Sequence, residues 1–328
     1  MDQRLKTMRI LVVHPGALGD TLLALPVLVA LKQHHEPATV DLIGHSSLVE
    51  VLPGRSVVDI MRPIDGPEFR SLFGDPLELP VPIQSFFGSF DIAVAWLDDH
   101  DERLRHCLRT LGIRNAVIRA PRLHEPGTRH ATNRFGETLS DWDCAQPLPT
   151  TCLTPTVADL TAGAAWLARA GIPDRGVPVV AVHPGAGSPS KCWPPERYAE
   201  VIAALVQDGT AVVLVEGPAD AQAVGDLQHA VAPLPVPRLV GGRLAAVVEV
   251  LSRCHAFLGN DSGLTQLAAG LGVPTIGIFG PTDPAVWAPR GDHVVTFRGG
   301  SDWLPISPGL VIEAVRQVVR EPSASLAT

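Results

Sequence analysis

Ala256-Phe257-Leu258-Gly259-Asn260-Asp261-Ser262-Gly263-Leu264-Thr265-Gln266-Leu267-Ala268-Ala269 is the stretch whose reading decides the fold. An apolar run ends in the polar turn 259–263, after which Leu264, Leu267, Ala268 and Leu271 recur at helical spacing. Strand, tight turn and helix in succession present unbonded backbone N–H groups at the helix start. Those donors and the helix dipole favour an anion, typically a phosphate. Asp261 or Ser262 can cap the helix. A plain capped helix reads the same way, and the turn alone does not separate the two.

Outward from this stretch, strand-like and helix-like segments alternate. Strands are expected at 9–13, 38–43, 57–60, 92–96, 177–182, 210–215 and 275–279. Helices are expected at 21–33, 158–170, 194–207, 245–253 and 310–319, with a short one near 133–139. Pro26 should kink the first helix or mark its first turn. Residues 62–90 and most of 120–156 are rich in Pro and Gly and read as loop. Such alternation points to parallel, doubly wound sheets in an α/β protein. His14-Pro15-Gly16-Ala17 and His183-Pro184-Gly185-Ala186 follow the first strand of each half, suggesting two similar sheets. The expected domains are 1–157 and 158–328. In open parallel sheets ligands gather at the carboxyl ends of strands, where Asp20, the 185–191 loop, Glu216, Asp261 and the 281–283 turn all fall. Two such sheets facing each other would form one cleft between domains.

The 328 residues suffice for two cores, and 46% of them are hydrophobic, so burial is ample. No apolar run reaches the roughly 18–20 residues of a membrane span. Residues 1–7 read as a polar extension without a signal-peptide core. The five cysteines (107, 144, 152, 192 and 254) have no metal-ligand spacing, which fits reduced thiols in a cytoplasmic protein. The net charge of −8 argues against a nucleic-acid partner. One local exception runs from Arg103 to Arg134, with eight arginines and Glu125 as the single acid. It is either a solvated face or an anion-facing surface.

Several residues are candidates for chemistry. Asp20, after Gly19, sits where a carboxylate can accept a proton from a bound hydroxyl, or where it simply caps a helix. Lys191 is one of three lysines against 23 arginines, beside a Gly/Ser/Pro loop; this suggests a compact cation aimed at phosphate. Glu216 ends a strand, where acids often hold ribose hydroxyls or merely face solvent. His183 is expected to serve the structure of its loop. There is no Walker lysine motif and no G-x-G-x-x-G after the first strand, so nucleotide hydrolysis and Rossmann-type NAD binding lose support. Asp141-Trp142-Asp143 has the spacing of a metal pair but not the surroundings, and no metal site is expected.

Taken together, these segments resemble the family 9 glycosyltransferases, which include the ADP-heptose:lipopolysaccharide heptosyltransferases. The resemblance is carried by Gly19-Asp20 with the helix through Pro26, His183-Pro184-Gly185 and Lys191-Cys192-Trp193-Pro194. It continues through 259–264 and Phe279-Gly280-Pro281-Thr282-Asp283-Pro284, in the family's order. It implies a GT-B fold of two Rossmann-like domains facing an interdomain cleft, the acceptor on the N-terminal half and the nucleotide sugar on the C-terminal half. It also implies an inverting, metal-independent transfer without a cofactor, the donor being a nucleotide sugar such as ADP-heptose. By that likeness Asp20 is the general base, Lys191 neutralises the leaving diphosphate with N–H groups at Ser262 and Gly263, and Asp261 holds sugar hydroxyls. Gln266 stands where the family often has His, and it cannot carry charge; sugar choice or rate should differ. His14 stands where a longer basic residue is common. The acidic N-terminal half fits a phosphorylated core poorly, so another glycan or a small molecule is expected as acceptor. No transmembrane segment is expected, and peripheral membrane contact stays open. The competing readings are a sugar-nucleotide-binding protein without transferase activity and a GT-B-like epimerase.

Overall fold

The computed structural model describes residues 6–123, 127, 129–142, 148–173, 176–217, 220–240, 242–291 and 293–320. Glu125, Asp143, Cys144 and the first five residues of the polar extension lie outside the described residues. The chain divides into two compact units, Met1–Cys152 and Leu153–Thr328. Among the described residues no helix is long and apolar enough to cross a membrane.

In the first unit the order is β1 (Met8–Val13), α1 (Leu18–His34), β2 (Ala38–Gly44), β3 (Ile60–Pro63), α2 (Pro67–Ser71) and α3 (Val81–Phe87). Then come β4 (Ile92–Ala95), α4 (Arg103–Thr110), β5 (Asn115–Ile118) and α5 (Ala131–Glu137). The strands pair in the order β3-β2-β1-β4-β5, all parallel. Ile10, Leu11, Val12 and Val13 are fully buried, as a central parallel strand covered on both faces requires. Helix α1 starts three residues before its expected first residue. Asp20, at the third helical position, accepts the Ala17 N–H at 3.3 Å and draws Leu18 and Gly19 into the first turn. Pro26 is buried within that helix.

Three expectations for this unit need correction. Strand β3 begins at Ile60, not at residue 57. Val58 fills the core, and the Asp59 carboxylate takes the Val40 N–H (2.8 Å) and Lys32 (2.7 Å), so strand pairing starts one residue later, at Ile60 opposite Asp41. Residues 62–90 are not all loop: α2 and α3 each carry a proline in the first turn, which presets the helical φ. They are too short to show a period in the sequence. The third is α4 with β5, which was not anticipated. Leu104, Cys107 and Leu108 form the buried stripe of α4, while Arg103 and Arg109 face solvent.

The second unit runs α6 (Val157–Arg169), β6 (Val179–His183), α7 (Pro195–Gln207), β7 (Ala211–Glu216), α8 (Ala221–Ala230), β8 (Arg238–Val240) and α9 (Leu244–Leu251). It continues with β9 (Ala256–Asn260), α10 (Gly263–Gly270), β10 (Thr275–Phe279), α11 (Pro284–Trp287), β11 (Val294–Arg298) and α12 (Pro308–Arg320). Its sheet order is β11-β10-β9-β6-β7-β8, again parallel. One face of this sheet packs Val180, Val182, Leu214, Leu258 and Ile276 against Tyr198, Val201 and Leu205 of α7 and Val311 and Val315 of α12. On α6, Gly163 lies so close to the Glu249 carbonyl of α9 that a Cβ there would collide with it. Strands β8 and β11 and helix α8 escaped the sequence reading.

In both units strand order reverses beside the first strand, between β1 and β4 and between β6 and β9. Such topological switch points leave a crevice at the carboxyl ends of the strands, where ligands bind. The two His-Pro-Gly-Ala runs leave β1 and β6 at these points.

Candidate active site

At the switch point of the second unit, β9 delivers Asn260 and Asp261 beside the end of β6. Asn260 is fully buried. Its Oδ1 accepts the Trp193 N–H and the Tyr198 hydroxyl, both at 3.0 Å. Its Nδ2 donates to the carbonyls of Pro184 (2.7 Å) and Gly185 (3.2 Å). One side chain therefore ties the loop after β6 to the end of β9, and Lys191 rides on that loop.

Lys191 Nζ lies 2.8 Å from Asp261 Oδ2, and the Thr282 hydroxyl donates to the same oxygen at 2.8 Å. The next residue, Ser262, is the N-cap of α10, its Oγ accepting the Thr265 N–H at 3.4 Å. Thr265 Oγ1 donates to the Asn260 carbonyl. First-turn N–H groups, such as those of Gly263 and Leu264, have no helical carbonyl behind them. Lys191, Asp261, Ser262 and Gly263 are thus brought together around one helix start. The cation, however, is paired with a carboxylate and does not stand alone.

Two further groups continue inward. His183 Nε2 lies 2.8 Å from Asp220 Oδ2, and His183 Nδ1 lies 3.3 Å from Ser262 Oγ. Burial acts to raise the Asp220 carboxyl, but the hydrogen bond and charge of His183 and the Gly217 N–H (3.0 Å) together hold it below its ordinary value. A cavity of about 420 Å³ opens beside this pair, lined by the 184–189 loop, Trp193 and the start of α8. Cys192 also lines it; burial raises its thiol, which therefore stays protonated.

Glu216 and Gln266 each have a partner within the protein. The Glu216 carboxylate is buried against the Arg238 guanidinium of neighbouring β8. Gln266 is buried one turn into α10, where its Nε2 donates to the Trp287 carbonyl at 2.7 Å. Asn260, Asp220 and Thr282 were not singled out in the sequence. Asn260 lay inside the quoted turn, and Asp220 is an acid four residues past a strand end, but only the fold shows what each touches.

In the first unit, Asp20 sits in the first turn of α1, just past the switch point, partly exposed. His14 precedes it, 3% exposed and edge-on to Trp96 and Phe135, with ring centroids 5.6 and 5.2 Å away. Neither ring nitrogen reaches a partner in hydrogen-bond geometry, although the Asp20 backbone lies close enough to offset part of the burial. Burial lowers its pKa to about 4, so at neutral pH this position carries no positive charge. A second cavity, of about 200 Å³, lies past β4 and β5. Arg105, Arg119 and Arg122 line it together with Asp98, Asp99 and Glu102. The arginine-rich run therefore contributes to a mixed-charge hollow as well as to the outer face of α4.

Residues 132–305 match the family model described as glycosyltransferase family 9 (heptosyltransferase). Lipopolysaccharide heptosyltransferase 3 of Escherichia coli K12 is 25% identical over 313 residues, covering 86% of each chain. Two solved structures share the fold. A family 9 glycosyl transferase from Veillonella parvula superposes with a TM-score of 0.78 at 19% identity, over 96% of this chain and 97% of that one. The ADP-heptose lipopolysaccharide heptosyltransferase II of Escherichia coli gives 0.76 at 20% identity, over 96% and 99%.

Proposed function

We propose, on the premise that this chain belongs to glycosyltransferase family 9, that it moves a heptose from ADP-heptose to an acceptor hydroxyl, inverting the anomeric centre and using no metal. Membership makes the chain a glycosyltransferase with two parallel-sheet domains of the GT-B class. The observation that carries the finer reading is the cluster of Lys191, Asp261 and Thr282 around the capped start of α10. A departing diphosphate gathers negative charge as the glycosidic C–O bond breaks, and a cation with helix N-terminal N–H groups stabilises that charge. Asp261, held between Lys191 and Thr282, is the acceptor for sugar hydroxyls.

In this reading Asp20 takes the proton of the acceptor hydroxyl as its oxygen attacks the anomeric carbon. The electron pair of the broken bond leaves with the diphosphate. Its Oδ2 accepts the Ala17 N–H, which orients the carboxylate. Among the described residues no three His, Cys, Asp or Glu side chains are grouped to hold a metal ion. The two Escherichia coli relatives are named as lipopolysaccharide heptosyltransferases, and a glycan of that kind is the acceptor class they support. The uncharged His14 and the mixed-charge hollow favour an acceptor region poor in phosphate.

The test is transfer from ADP-heptose to core oligosaccharides with and without phosphate, with the product anomer determined. Asp20→Asn should lower turnover by about 10²–10⁴ while ADP-heptose still raises the melting temperature. Absence of transfer to every acceptor refutes the donor reading, and unchanged turnover in the variant refutes the base.

A further inference from the structure

We infer that Asp220 and His183 are positioning residues: they hold the Ser262 hydroxyl, and with it the first turn of α10, in the orientation that receives the donor diphosphate. The inference rests on the donor-site reading above. Three side chains, from the start of α8, the end of β6 and the start of α10, form one hydrogen-bonded line: Asp220 Oδ2 to His183 Nε2 at 2.8 Å, then His183 Nδ1 to Ser262 Oγ at 3.3 Å. Asp220 and His183 are buried, at 8% and 2% exposure, and burying a carboxylate and an imidazole is costly unless each is paired. The surroundings are built for the carboxylate. A Cβ at Gly185 would collide with it, a Cβ at Gly217 would meet Oδ2 at 2.5 Å, and the Gly217 N–H donates to that same oxygen.

The line has a direction. A carboxylate only accepts, so the imidazole donates from Nε2. In the neutral ring Nδ1 then holds a lone pair, and the Ser262 proton is shared between it and Thr265 Oγ1, 3.2 Å away, whose own proton goes to the Asn260 carbonyl. The Ser262 oxygen meanwhile accepts the Thr265 N–H. Both functions of this hydroxyl are spent inside the protein, so α10 offers the diphosphate its backbone N–H groups and not a rotating hydroxyl.

The experiment compares wild type with His183→Gln, His183→Asn and Ser262→Ala by ADP affinity, donor KM and kcat, and melting temperature. Gln reproduces the Nε2 position and keeps the Asp220 bond but removes the Nδ1 partner, leaving Ser262 held by Thr265 alone. It should weaken ADP binding and lower kcat/KM for the donor about five- to tenfold. Asn places an amide at the Nδ1 position, keeps a partner for Ser262 and loses Asp220; it should lose melting temperature but hold ADP near the wild-type affinity. A merely structural role gives the opposite pattern, with affinity following melting temperature in both variants, and that pattern overturns the inference. Ser262→Ala covers the case in which the His183 variants do not fold: with the buried pair intact, ADP should weaken by the same factor, and unchanged affinity overturns the inference. Failure of the wild type to bind ADP or ADP-heptose overturns the donor-site reading and this inference with it. Equal binding by wild type and His183→Gln overturns the inference alone.

Discussion

Acidification should loosen the first unit in part through His14. Its imidazole is enclosed by Trp96 and Phe135, and burial lowers its pKa from 6.5 to about 4. Below pH 6.5 the unfolded chain takes up a proton that the folded chain refuses until about pH 4. The contribution is therefore complete above 6.5 and is lost as the pH falls through that window. At about 1.4 kcal/mol per pKa unit, the 6.5-to-4 interval corresponds to about 3 kcal/mol. For a unit of this size that is a shift of roughly 6–12 °C in melting temperature. The assay is unfolding of wild type and His14→Phe at about pH 7.5 and about pH 4.5. Burial also lowers His35 and His255, but these titrate alike in both proteins and cancel in the difference. The wild type should lose about 2.5 kcal/mol more than the variant between these two pH values. Parallel pH profiles would refute the enclosed, neutral imidazole, and with it the argument that the first unit lacks a cation at this place.

Other substitutions test other parts of the molecule. Gly163→Ala puts a methyl group into the Glu249 carbonyl where α6 crosses α9, and should cost about 1–3 kcal/mol in urea unfolding; a neutral effect would mean the helices separate freely. Lys191→Met keeps the side-chain length without the charge. It should lower kcat/KM by about 10²–10³, and a loss under about threefold would remove Lys191 from leaving-group stabilisation. For Asp220, whose carboxyl is held below its ordinary 3.8, stabilisation is present above that value and lost as pH falls through the lowered one. The stability gap between wild type and Asp220→Asn should accordingly be larger at about pH 5 than at about pH 3, and a constant gap would contradict the paired carboxylate.

Much of the architecture was legible where local rules and tertiary packing agree. The runs Ile10–Val13 of β1, Ile92–Ala95 of β4 and Ile276–Phe279 of β10 are uninterrupted and apolar because both faces are covered. Helices α6 and α7 are bounded by turn chemistry: Thr156 caps one, Pro194 and Pro195 open the other, and Gly171 and Gly209 follow their ends at positive φ. Edge strands β5, β8 and β11 are only partly buried and short, and they depend on neighbours that the sequence does not display. The site was half legible. A loop-to-helix turn announces Asp261, Ser262 and Gly263, and the scarcity of lysine singles out Lys191. The Glu216–Arg238 pair and the Asp220–His183–Ser262 line were not, because each joins residues brought together by strand order and not by spacing.

Before any nucleotide arrives, the ammonium of Lys191 already answers to Asp261. A long, flexible side chain is thereby immobilised in advance, and the roughly 2 kcal/mol of rotamer freedom it would otherwise surrender is not charged against the incoming ligand. The same contact keeps the seat close to electroneutral, so free phosphate or sulfate finds little net attraction there. Occupancy then depends on a molecule that satisfies the carboxylate with hydroxyls while it presents its own anion to the helix. In the proposed donor-site reading, a single ion pair thereby favours a sugar joined to a diphosphate over inorganic phosphate or sulfate.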